Sequence, residues 1–171
     1  MVQLEEAPPN FIMMVGLPGS GKSTVARQLR TDLADKAYVI LCPDDIVIAM
    51  GEPEGLTYTQ SVQKFSFKKA EKIFKAQLRQ ALADRKNIIV DRTNLMVGIR
   101  AGLLRDVPPD YTKTAMICEV EPEVLRRRLD SRAKRTGKII SEKVLTQMIE
   151  AYQPPTRSEF DEIKRVRFVR K

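Results

Sequence analysis

Phe11-Ile12-Met13-Met14-Val15-Gly16-Leu17-Pro18-Gly19-Ser20-Gly21-Lys22-Ser23-Thr24 is the stretch that decides how this chain folds. Its first five residues are an unbroken apolar run, the pattern of a strand buried on both faces of a parallel sheet. The next eight match G-x-x-x-x-G-K-[ST], a loop that turns its backbone N–H groups inward around phosphate oxygens. Gly16, Gly19 and Gly21 supply dihedrals that a Cβ would obstruct, and Ser20 adds another amide to the cradle. Lys22 is placed to reach β- and γ-phosphates, and the Ser23 hydroxyl to ligate Mg²⁺. Thr24 extends the motif. From Ser23 to Leu33 the pattern is helical, with Val25, Ala26 and Leu29 on one side, so the loop leads into a positively polarised helix end.

Working outward, apolar strands are expected at 38–42, 87–91, 114–120 and 166–169, with helices at 46–50, 58–85, 97–106, 122–134 and 141–152 between them. Strands alternating with helices imply βαβ units. The expected fold class is α/β: a P-loop NTPase three-layer sandwich with a mostly parallel central sheet and a basic helical lid. Residues 1–10, acidic and proline-bearing, read as a disordered lead, and 11–171 as a single domain. In the long helical stretch Ala70, Ile73, Phe74, Leu78, Ala81 and Leu82 form an apolar stripe. Lys68, Lys69, Lys72, Lys75 and Arg79 occupy much of the remainder.

The chain contains no histidine and only two cysteines, Cys42 and Cys118, each in or beside an apolar run. Zinc sites of the usual His and Cys ligands and histidine-based triads are therefore excluded. The chemistry must rest on carboxylates, lysine, arginine, hydroxyls and a bound Mg²⁺. A net charge of +8 points to an anionic partner, nucleic acid among the candidates. No apolar run approaches the ~18 residues of a membrane span, and no secretory or transit signal is evident, so a cytoplasmic location is expected.

In open α/β sheets ligands bind beyond the carboxyl ends of the strands. Asp44-Asp45 follows the second expected strand and Asp91 ends the third, so both should face the loop. A carboxylate there can take the proton of an attacking hydroxyl or help hold Mg²⁺. Asp45 reads as the cap of a helix beginning at Ile46, which leaves Asp44 as the candidate base.

Gly16–Thr24, Asp44-Asp45, Asp91-Arg92-Thr93-Asn94-Leu95 and an arginine-rich helix containing Arg126-Arg127-Arg128 together resemble the polynucleotide 5′-hydroxyl kinase family of P-loop kinases. The resemblance runs from Phe11 to about Phe168. It implies ATP and Mg²⁺ as cofactors and nucleic acid as acceptor, with Lys22 and Ser23 on the phosphates and metal and Asp44 as general base. Asp91, a candidate metal ligand, would order the site with Thr93 and Asn94. Arg132 would offset charge on the transferring phosphoryl, with Arg128 and Arg135 in the same lid. One departure stands out. The family often shows D-D-x-R, the arginine holding an acceptor phosphate, whereas this chain has Asp44-Asp45-Ile46-Val47. The acceptor is thus open between the 5′-hydroxyl of DNA or RNA, a hydroxymethylated base in DNA, and a small molecule. A silent nucleic-acid-binding module of the same fold is the remaining alternative.

Overall fold

The computed structural model describes residues 7–168. Five strands, β1 (Asn10–Val15), β2 (Val39–Leu41), β3 (Ile88–Val90), β4 (Thr112–Val120) and β5 (Glu162–Phe168), form one sheet in the order β2-β3-β1-β4-β5. Every pairing is parallel, with Met13 beside Val90 on one side and Ala115 on the other. The helices are α1 (Lys22–Asp32), α2 (Pro43–Gly51), α3 (Tyr58–Phe65), α4 (Phe67–Ala83), α5 (Val97–Leu104), α6 (Pro122–Thr136) and α7 (Glu142–Glu150).

The continuous apolar run of β1 is explained by cover on both sheet faces. Phe11, Met13 and Val15 point to a core built with Phe74 and Leu78 of α4 and Leu103 of α5. Ile12 and Met14 point the other way, to Ala26, Val25 and Leu29 of α1. This is the three-layer α/β arrangement of a P-loop NTPase.

Several boundaries differ from expectation for identifiable reasons. The strand expected from Phe11 begins at Asn10, whose amide takes the Asn87 side chain as acceptor at 2.7 Å, and Pro9 is already buried. Of the expected 1–10 lead, residues 1–6 lie outside the described residues, as does Val169 of the last strand. Pro43 opens α2 rather than merely stopping β2, the first-turn position where its missing N–H costs nothing. The helix expected over 58–85 is two helices. Ser66, at φ 62°, breaks it and accepts a hydrogen bond from the Lys69 amide, capping α4.

Candidate active site

The loop between β1 and α1 closes under backbone constraint. Gly16, at φ 153°, donates its N–H to the Thr93 carbonyl at 3.0 Å, and a Cβ there would sit 2.6 Å from the Cys118 carbonyl oxygen. At Gly21, φ 98°, a Cβ would meet the Phe168 ring at 2.6 Å. Gly19 lies under Leu125 and Leu129 of α6, so the basic helix rests directly on the loop. Ser20 is buried and its hydroxyl has no hydrogen-bond partner among the described residues. The Lys22 ammonium, 8% exposed, folds back to donate to the Leu17 carbonyl at 2.7 Å. Burial lowers its pKa from 10.5 to about 8, with Asp91 opposing the shift.

Above the loop lies a cleft of about 720 Å³, lined by Lys22, Ser23, Thr24, Asp44, Asp45 and Asp91 on the sheet side. Arg127, Arg128, Arg132 and Arg135 of α6, with Lys138 just beyond, form the opposite wall. The segment after β3 holds the loop in place: Asn94, at φ 48°, donates from Nδ2 to the Met14 carbonyl at 2.7 Å.

Of the expected site residues, Gly19, Gly21, Lys22, Ser23, Thr24, Asp44, Asp91, Arg128 and Arg132 line this cleft, whereas Gly16 and Ser20 lie behind the loop, lining a separate small pocket with Cys118 and Tyr152; the reading of some others changes. Asp45 is no cap: Cys42 holds the N-cap position of α2, without a side-chain cap hydrogen bond, and Asp44 and Asp45 both occupy its first turn, where the helix N-terminus favours their charge. Asp44 is the more engaged. One carboxylate oxygen accepts from the Tyr58 hydroxyl at 2.8 Å; the other pairs with Lys138 and lies 3.5 Å from Arg132. Burial pushes the Asp44 carboxyl up, but Lys138, Tyr58 and Arg132 together hold it below the usual carboxylate range. Arg128 donates to the Gly19 carbonyl at 3.3 Å, and its guanidinium lies 4.9 Å from the Phe168 ring centre, tying lid to loop. Val47 is fully buried, so a guanidinium there would displace packed neighbours.

Three residues were missed in the sequence. Lys138 lies over the Tyr58 ring at 4.4 Å as well as against Asp44. Its place is fixed by Gly137, the left-handed cap of α6, whose carbonyl accepts from Thr59. Only that glycine hinted at a docked turn. Tyr58 read simply as a helix start. Arg100, fully buried, had no signal beyond its helical position. It donates to the carbonyls of Asn94, Leu95 and Gln153, and pairs with Glu159 at 2.7 Å. Cys42 and Cys118 are buried thiols pushed up to about 12 and about 11 by burial, which keeps them protonated and inert.

Mg²⁺ takes hard oxygen donors, commonly one or two carboxylates, with substrate phosphates and water completing its shell. Asp91, Asp45 and the Ser23 hydroxyl on one wall suit that chemistry. No cluster of three or more acidic, His or Cys ligands occurs among the described residues.

The parallel sheet, the phosphate cradle and the arginine-bearing helix across it define a P-loop nucleotide-binding protein of kinase-like fold. The chain belongs to the AAA-domain family, which matches residues 11–155. Among curated proteins, heterogeneous nuclear ribonucleoprotein U-like protein 2 of Mus musculus is 25% identical over 157 residues, 89% of this chain and 21% of its own length. The chain therefore spans about a fifth of that relative. Two solved structures share the fold. A chain of the Pnkp1/Rnl/Hen1 RNA repair complex has a TM-score of 0.66 at 24% identity, covering 87% of this chain and 45% of that one. A gluconokinase from Sinorhizobium meliloti 1021 has a TM-score of 0.58 at 20% identity, covering 97% and 86%. No helix of the described residues is long and apolar enough to cross a membrane.

Proposed function

We propose that residues 11–171 act as one phosphotransferase domain that moves the γ-phosphoryl group of ATP to a hydroxyl of nucleic acid, most simply a 5′-hydroxyl. The observation that carries this reading is Asp44: an ionised carboxylate in the same cleft as Lys22, with Arg132 beside it. A hydroxyl placed between Asp44 and the γ-phosphate gives its proton to Asp44 as the new O–P bond forms. The bond between the γ-phosphorus and the bridging oxygen breaks, and ADP leaves. Lys22 and the loop amides hold the β- and γ-phosphates. Arg132, Arg128 and Arg135 face growing negative charge from the lid side. Mg²⁺, held by Ser23 and Asp91, would neutralise phosphate charge when bound.

A net charge of +8 and a relative named as a ribonucleoprotein support nucleic acid as the acceptor class. The absent arginine at Val47 leaves Lys138 as the cation nearest the candidate base, so an acceptor phosphate can still be met by a positive charge. The test is transfer of labelled γ-phosphate with Mg²⁺ to 5′-hydroxyl DNA and RNA oligonucleotides. Duplex DNA with blocked 5′ ends and hydroxymethylated pyrimidines is assayed in parallel, as are sugars. Label on the 5′-hydroxyl strands, lost in Asp44→Asn while ATP still binds, is the expected result. Label only on modified duplex or on a sugar overturns the end-directed reading, and no transfer to any acceptor makes the chain a binding module.

A further inference from the structure

A second groove lies between α4 and α5, with a volume of about 400 Å³. Arg92 lines both this groove and the catalytic cleft, which are therefore neighbours across its side chain. Its guanidinium is fixed by Glu71 at 2.8 Å and by the face of Phe74 at 5.1 Å. The acids at the groove are neutralised locally, Glu71 by Arg92 and Asp106 by Arg105. Lys75 and Arg79 on the α4 wall are exposed, and neither has an acidic partner among the described residues.

Those two cations belong to a longer row. Lys68, Lys72, Lys75 and Arg79 follow a spacing of four, three and four, which places all four within about 60° of one another around the helix. The row is about 16 Å long, enough for roughly three to five phosphates of a single strand. On the facing wall, Gly98 and Gly102 have nothing within 4 Å of where a Cβ would be, so α5 presents a low, open rim. Ile99, between the two glycines, is exposed on that rim at 40%. A cationic row opposite an apolar rim fits a sugar–phosphate backbone with its bases turned to one side. A small neutral acceptor has no use for a charged track running away from the site.

We infer that the α4–α5 groove is the docking track for the single-stranded nucleic acid whose end enters the catalytic cleft. Lys68, Lys72, Lys75 and Arg79 grip its phosphates. This rests on the proposed function, since it assigns the path of the acceptor strand at the same site.

The test compares Lys75→Ala/Arg79→Ala with the native chain on a 5′-hydroxyl 12-mer and on a 5′-hydroxyl dinucleotide. A control variant, Arg30→Ala/Lys36→Ala, removes equal charge beyond the opposite sheet face. The groove variant should raise KM for the 12-mer about tenfold, leave kcat and the dinucleotide KM unchanged, and lower the salt slope of log KM by about 1.4. The control should do none of this, and all three proteins should melt alike. Equal loss on both acceptors, or no change on the 12-mer, overturns the track. Should no oligonucleotide accept phosphate, the proposed function fails instead, and anisotropy of a 3′-fluorescein 12-mer decides the groove. Binding weakened by the groove variant alone supports it; unaltered or absent binding overturns it.

Discussion

Titrating ATP onto the protein between pH 7 and 9.5 isolates the chemistry of Lys22. Its ammonium is almost wholly buried with one carbonyl for company, and burial brings its pKa to about 8 from 10.5. Bound phosphate supplies the missing counter-charge and drives the group back to its charged form. Nucleotide binding must then take up a proton wherever free Lys22 is neutral. Affinity should fall about twofold by pH 8 and about tenfold by pH 9 relative to pH 7, if only the charged form grips phosphate. Calorimetry in two buffers of different ionisation enthalpy should register about half a proton taken up per ATP at pH 8. Lys22→Arg, which keeps its charge, should flatten the profile. The folded state binds fewer protons than the unfolded state between the two pKa values, so this group makes stability rise with pH from about 8 to 10.5. Below that window it costs about 3 kcal/mol, and Lys22→Met should melt higher at pH 7, the difference closing above pH 10. Affinity that stays flat to pH 9.5, with no buffer-dependent heat, would refute the argument.

Lys138→Met should let the Asp44 carboxyl rise, moving the acidic limb of kcat/KM to higher pH. The same change should reduce acid resistance: the depressed Asp44 pKa contributes stability above 3.8 that is lost as pH falls through its folded value. Arg100→Ala removes the cation paired with Glu159 and the donor to several carbonyls, and should cost about 3–5 kcal/mol in urea unfolding. Arg100→Lys should not restore it, because one ammonium cannot span the same acceptors. Gly16→Ala sets a methyl against the Cys118 carbonyl and the Ser20 hydroxyl, so ATP binding should weaken at least tenfold with a smaller change in melting temperature.

The fold was legible in the sequence because its signals are local. The apolar run at Phe11–Val15 and the glycines after it fix a strand, a turn and a helix within a few residues of one another. The Phe74 and Leu78 stripe shows which side of α4 meets the sheet. Ser66 went unread because a serine at positive φ has no compositional mark, and the helical period continues almost unbroken across it. The loop residues and Asp44 were legible from their position at strand ends. Lys138 and Arg100 were not, because their roles come from pairing with residues 94 and 59 positions away. Such long-range charge pairs leave no periodicity behind.

The Arg100 contacts also reach beyond the family match. The family match stops at residue 155, yet the carboxylate that neutralises Arg100 comes from Glu159, and β5 completes the sheet edge from Glu162 to Phe168. A chain cut after the family boundary would keep every residue of the phosphate cradle and still strand a guanidinium in its interior. The same cut would remove Phe168, whose ring closes over Gly21. The last strand of the sheet thus serves as a buttress for the loop that follows the first.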